Sequence, residues 1–491
     1  MRFWMYLLFG LLYLLILFLG KFYNGEIILL AKSIFLTSYL VIEIVAIRIE
    51  DRKNWIINPV VLASLFTFIL GYGITNLIYF ISDSEPRDKV LLRLGDPSFT
   101  LMNFAMDSVV LGAVFMWIGY RSNLGIFLFK FMTTGIVNLK RYFKNTFNFN
   151  TRLIYTFVVI GILVRLYAIL VGAFGYTNDP EQLAKADNIS QFLYYLGLLT
   201  QFALLVVSLA YFSSTNRKSY RIIFIALIII EVFFGLISGM KSLVVIPFVI
   251  PLVAFLIIKR RVNKSLLALS VAAIVIAYII IEPYRMYSLF DPNFKSSPKY
   301  ILQSLYDAYI LNKQVGLVQE TDSEFFLLAF FGRTNNLVEA AKAIDYNNKV
   351  GLDKTDPDFR NNLLLVPFHA IIPRFIWKDK PLQDIGLWFT RKVWGYDFFS
   401  STSVTPFGFL YFAGGNAFVI IFFLMFGIMQ NALIRFVDLG SGGIIVFIGL
   451  LSTVVLFDHA VNSIFISWIR LYPILILLQY FVFKGIVSYS K

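Results

Sequence analysis

The sequence predicts an all-α fold, a polytopic bundle of membrane-spanning helices carrying one large loop on the extracytoplasmic side. Three observations carry that expectation. Hydrophobic residues make up 59% of the 491-residue chain and charged residues only 15%, where soluble domains hold about 45–50% and about 25%. Apolar runs of about twenty residues, the length that crosses a bilayer, recur along the chain. Basic residues gather in every second short loop between those runs. A soluble enzyme, a disordered chain and a secreted disulfide scaffold are excluded.

Twelve segments meet the length requirement, near 3–20, 27–47, 55–82, 99–120, 153–176, 189–212, 222–238, 243–258, 265–283, 414–434, 444–457 and 463–483. The first has no small-residue cleavage site after it and is followed by further spans, so it reads as a retained helix. The turn at 239–242 is short enough to make segments seven and eight a helical hairpin. The chain therefore divides into 1–283, nine helices with a basic cytoplasmic loop at 121–152; 284–405, the large loop; and 406–491, the last three helices.

Orientation follows from the loops. Arg48, Arg52 and Lys53 follow segment two, and Arg121, Lys130, Lys140, Arg141, Lys144 and Arg152 follow segment four with no acid among them. Arg217, Lys218 and Arg221, then Lys259, Arg260, Arg261 and Lys264, fill the next even loops. Odd loops are mixed or acidic, as at Asp83, Glu85, Asp88, Asp96, Asp179, Glu181 and Asp187. Positive charge marks the cytoplasmic side, so both termini lie inside. The net charge of +14 is thus largely topological, and nucleic acid is not an expected partner. Within 121–152, Leu124, Ile126, Phe127, Phe129, Phe131 and Met132 sit among well-spaced lysines, Lys130, Lys140 and Lys144. That pattern suits either a helix lying on anionic lipid or a basic loop that fixes topology.

Zero cysteines exclude disulfides, thiolate chemistry and Cys-zinc sites, and two histidines, His369 and His459, exclude a His-rich metal site. No P-loop, HExxH, GxSxG or dinucleotide fingerprint occurs. What stands out is the stretch of about 120 residues between Pro283 and Thr405, since loops of that length are usually functional. It is too apolar for a solvated linker. Cations recur at membrane boundaries on this external side: Lys241, Arg285, Arg333, Arg374 and Lys380. Arginine grips phosphate bidentately and lysine acts on it as a point charge, so the five suit a pyrophosphate. Each alone is equally served by snorkelling to lipid phosphate or by pairing with an acid.

The segment His369 to Pro381, HAIIPRFIWKDKP, resembles the Pro-Arg-x-x-Trp-x-x-Lys-Pro stretch in the long periplasmic loop of bacterial O-antigen and oligosaccharide repeat-unit polymerases, the Wzy family. The Ser238-Gly239-Met240-Lys241 turn sits where that family often has Ser-Gly-x-Arg. The block Ser401 to Gly415 resembles its Ser/Thr-rich lead into a helix, although Gly408-Phe409-Leu410-Tyr411 lacks the usual carboxylate. The resemblance implies a GT-C-like, metal-independent glycosyltransferase in the bacterial inner membrane, needing no cofactor. It implies transfer of a growing glycan from undecaprenyl pyrophosphate to a new lipid-linked repeat unit in polysaccharide (lipopolysaccharide) biosynthesis. The partners it implies are that undecaprenyl-pyrophosphate-linked oligosaccharide, membrane lipid and a chain-length regulator protein.

For the group that activates the acceptor, two candidates exist. His369 lies five residues before Arg374 and titrates near neutrality, and Glu339 can share a helical face with Asn335. Trp377, Tyr284 and Asn335 are the candidate sugar contacts, though interfacial Trp and Tyr are expected in any case. Within the spans, Lys32, Glu43, Asp107, Arg165, Glu231 and Arg470 are costly and so of interest. Arg165 and Arg470 can extend a cationic path, or Arg165 can pair with Asp107, while Lys32 and Glu43 lie near helix ends and can snorkel. An O-antigen ligase of the same fold class and a polysaccharide flippase or transporter remain the alternatives. No internal repeat of the kind common in transporters is evident.

Overall fold

A computed structural model describes residues 2–23, 25–77, 98–135, 138–171, 174–175, 193–214, 218–290, 334–354, 356–372, 377, 385–395, 402–456 and 461–484. Of residues 2–5, 219, 278–280 and 282–290 only the backbone is described. The described residues are helical throughout, apart from connecting turns and one isolated antiparallel bridge, Phe149 to Phe483.

In chain order the helices are α1 Arg2–Leu19, α2 Gly25–Glu50, α3 Pro59–Leu77, α4 Phe99–Arg121, α5 Leu124–Gly135, α6 Thr151–Leu170, α7 Leu193–Ser213, α8 Tyr220–Ser238, α9 Lys241–Lys259 and α10 Lys264–Phe290. Four short helices follow, α11 Leu337–Lys349, α12 Phe359–Leu364, α13 Val366–Ile371 and α14 Gly386–Lys392, before α15 Pro406–Ile434, α16 Gly440–Leu451 and α17 Val461–Val482. Among the described residues, nine helical runs are long and apolar enough to cross a membrane. The protein is a multi-pass helical membrane protein. One of those runs, Pro406–Leu451, is 46 residues long, and a 3₁₀ turn at Arg435–Leu439 with Gly440 at φ +75° divides it into α15 and α16.

Local chemistry sets the helix starts. Asn58 accepts from the Val60 N–H with Pro59 in the first turn, Ser98 from Leu101 and Asn263 from Ser265 and Leu266; each satisfies an amide the helix leaves orphaned. Thr405 caps α15 through Gly408, ahead of Pro406. Two glycines, Gly414 and Gly415, then leave helical geometry, so α15 is broken one-third of the way along. Sequence reading started the tenth segment at 414; the cap and proline place the start at 406, and the glycines account for the break.

The chain forms two compact units. The first comprises Met1–Arg141, Asp322–Asp438 and Gly449–Ile474. Its core is α4 packed against α15, with α2 and α3 alongside α4 and with α11 and α12 laid on α15. Buried Trp117, Phe407, Phe423 and Phe436 fill it. The second comprises Tyr142–Thr321, Leu439–Ile448 and Leu475–Lys491, and packs α7, α8 and α9 mutually, with α10 on α9 and α6 on α7.

Candidate functional site

Four of the ten predicted site residues lie in described parts of the first unit: Asn335, Glu339, His369 and Trp377. Asn335 stands at the entry to α11. Its Nδ2 donates to Asn76 Oδ1 at 3.1 Å and its Oδ1 accepts from the Leu337 N–H at 3.0 Å. Asn76 in turn donates to Ser33, and the Asn336 N–H donates to the Gly71 carbonyl. The start of α11 is thereby pinned to α3, with Asn335 and Asn336 both buried.

From that anchor, Leu337, Val338, Ala340, Ala341 and Ile344 face the core, while Glu339 and Lys342 fall one turn apart on the less buried side. The Lys342 ammonium lies 3.4 Å from the centroid of the Trp394 ring, a cation–π contact. Burial pushes the Lys342 amine below its usual range, and the Glu339 carboxylate opposes that shift. Nearby, Asp356 accepts from the Trp388 indole N–H at 2.8 Å and lies 3.8 Å from Lys392 Nζ. Trp388 belongs to an aromatic cluster with Tyr346, Phe359 and Phe412. A carboxylate and an amine of lowered basicity beside an indole face can hold and move a proton and can bind a hydroxylated ring.

His369 lies in α13, buried to 2% exposure, with its ring centroid 5.1 Å from that of Trp377. Two of the motif residues are therefore brought together. Val366 and Ala370 of the same helix pack on Ile466 of α17. Arg470, also from α17, donates Nε to the Ala370 carbonyl at 2.7 Å and Nη2 to the His369 carbonyl at 3.1 Å. A cation there caps the last carbonyls of α13 and meets the negative end of its dipole. Arg470 thus holds the backbone that carries the imidazole.

Lys241 belongs to the second unit and opens α9. The preceding turn is held by Ser238 Oγ, which donates to the Gly235 carbonyl and accepts from the Met240 N–H, with Gly239 at φ +63°. Arg285 and Tyr284 lie on the backbone of α10, their side chains outside the described residues. Arg333, Arg374 and Lys380 also lie outside the described residues, as do Asp458 and His459. Among the described residues no group of three or more His, Cys, Asp or Glu can hold a metal.

The buried charges of the spans pair differently from the sequence expectation. Asp107 binds Lys32 at 2.6 Å and accepts from the Tyr13 hydroxyl. Arg165 binds Glu231, and Glu43 binds Arg121. Lys32 and Glu43 are fully enclosed, at 3% and 0% exposure, so neither snorkels. Lys342, Trp394 and Arg470's capping role were not legible as a group: their positions are far apart in the chain, and only the Glu339–Lys342 spacing is a sequence signal. Against family models, curated proteins and solved structures, the chain has no match.

Proposed function

We propose that the protein is a lipid-linked oligosaccharide polymerase of the O-antigen type, a metal-independent glycosyltransferase with a GT-C-like arrangement. In this reading twelve helices cross the bacterial inner membrane, both termini are cytoplasmic, and 284–405 forms one extracytoplasmic loop. The observation that carries it is the motif from His369 to Pro381. The packing of His369 beside Trp377, on a helix end held by Arg470, supports it.

The acceptor sugar hydroxyl attacks the anomeric carbon of the donor glycan. The new glycosidic C–O bond forms as the bond to undecaprenyl pyrophosphate breaks, and the pyrophosphate leaves with the electron pair. Lys241, Arg285, Arg333, Arg374 and Lys380 stabilise that negative charge. The hydroxyl proton passes to His369 or Glu339, and Trp377 and Tyr284 position the sugars, while Asn335, buried with both ends of its amide bonded within the protein, holds the start of α11.

A second reading, a flippase or transporter of lipid-linked glycan, is favoured by the break in α15 at Gly414–Gly415 and by the ion pair of buried Lys32 with half-buried Asp107. The deciding experiment incubates purified protein with a lipid-pyrophosphate-linked repeat unit and separates the products on a gel. A ladder spaced by one repeat unit is expected, abolished by Arg374→Ala. Absence of a ladder from folded protein overturns the polymerase. Transfer to a different lipid acceptor then identifies a ligase, and glycan flux in liposomes a transporter.

A further inference from the structure

The polar end of α2 carries an open groove of about 510 Å³ lined by Val45, Arg48, Ile49, Arg52 and Trp55. Its composition follows from helical spacing. Val45, Arg48 and Ile49 share one face of α2, at i, i+3 and i+4, and Arg52 follows just past the last turn. Val45 and Ile49 are 47% and 67% exposed. Toward the middle of the helix the same apolar surface continues through exposed Val41 and Ile42. The Arg48 guanidinium lies 5.3 Å from the centroid of the Trp55 ring, close enough for a cation–π contact that steadies it. Tryptophan favours the headgroup level of a bilayer, which sets the depth of the groove.

The nearby acids are committed elsewhere. Glu50 accepts from Arg121 Nη1 at 3.2 Å, and Asp51 accepts from the Asn54 N–H. Among the described residues no carboxylate forms a salt bridge with Arg48 or Arg52. Two guanidinium groups thus stand at the mouth of an apolar channel, at the boundary between bilayer and water. That is the complement of a phosphate group with an acyl chain attached.

We infer that this groove binds an anionic phospholipid. The phosphate sits between Arg48 and Arg52 at the level of Trp55, and an acyl chain lies along Val45 and Ile49. The site is independent of the polymerase reading, because no residue of that reading lines it.

The test uses the purified full-length protein and native mass spectrometry, with phosphatidylglycerol and phosphatidylcholine of matched acyl chains as probes. Wild type is expected to retain phosphatidylglycerol preferentially. Arg48→Gln/Arg52→Gln should weaken that retention at least tenfold, while Lys140→Gln/Arg141→Gln, altering two exposed basic residues elsewhere, should leave it unchanged. Arg48→Lys/Arg52→Lys, which keeps charge but loses the bidentate grip, should fall between them. Unchanged retention in the glutamine variant overturns the site. Displacement by millimolar inorganic phosphate alone would also overturn it, since the ligand would then be a free anion. If the double variant does not fold, Arg52→Gln alone carries the comparison.

Discussion

Arg165 on α6 and Glu231 on α8 meet in a two-point ion pair, Nη1 to Oε1 at 2.8 Å and Nη2 to Oε2 at 3.2 Å, with side-chain exposures of 6% and 2%. Both lie in helices apolar enough to cross a membrane, where a lone charge has no good solvent. Removing one partner strands the other. Arg165→Leu and Glu231→Leu should each cost about 3–5 kcal/mol, whereas the double change should recover most of that loss. Thermal unfolding of the three variants in one detergent measures this. Single variants as stable as wild type would show that the pair carries no structural role.

The crossing of α4 and α15 depends on glycine. A Cβ on Gly119 would come 2.0 Å from the Leu424 carbonyl oxygen, and one on Gly427 would come 1.9 Å from the Met116 carbonyl oxygen. Both obstacles are backbone, so neither can step aside, as in other close helix crossings built on small residues. Gly119→Ala and Gly427→Ala should each sharply reduce the yield of monodisperse protein. Gly10→Ala, with nothing within 4 Å of its added methyl, should not. Size-exclusion profiles of the three variants settle the point, and a normal profile for Gly427→Ala would contradict the close crossing.

The break in α15 separates two physical effects at adjacent residues. Gly415 has φ +67° and ψ −157°, a conformation side chains rarely adopt, yet no atom lies within 4 Å of an added methyl. Gly415→Ala should therefore cost about 1–3 kcal/mol through backbone strain alone. Ser108, which donates to Asn416 Oδ1 at 2.6 Å just beyond the break, offers a second handle: Ser108→Ala should loosen the segment after the break without adding strain. Proteolysis rates at this segment, compared between the two variants, distinguish the contributions. Equal protection in Gly415→Ala and wild type would mean the strain is relieved by local rearrangement.

Much of the helical body was legible because a membrane span must satisfy its backbone internally, so apolar run length and helix are nearly the same statement. Segments two, four, seven and eight fall within a few residues of α2, α4, α8 and α9. The start of α15 lies ahead of the expected 414 although Thr405-Pro406 is a visible cap and first-turn proline and 406–413 is apolar, because the Gly414-Gly415 pair reads in sequence as a helix boundary. Site geometry was harder to read. Glu339 and Lys342 share a face by spacing, but Trp394 stands far along the chain in the turn after α14, and only the fold brings it to Lys342. Arg470 reads as a membrane cation in sequence, and only tertiary contact reveals that it caps the helix carrying His369.

Lys342 yields a prediction with a definite sign. Burial lowers its amine from the ordinary value of 10.5, while Glu339 one turn earlier pulls it upward by a smaller amount. The folded chain then binds fewer protons than the unfolded chain between the two values, so the stability contribution rises with pH across that window. The penalty of the buried ammonium is fully present below the folded value and is gone above the unfolded one. Lys342→Met should remove this alkaline rise. In wild type, the rate at which an acetylating reagent modifies Lys342, followed against pH by mass spectrometry of the peptide, should show a midpoint below 10.5. Glu339→Gln should move that midpoint further down, since it deletes the one group that opposes the shift. A midpoint at or above the ordinary lysine value, or an upward movement in Glu339→Gln, would show that the amine is not held in a desolvated setting against Trp394.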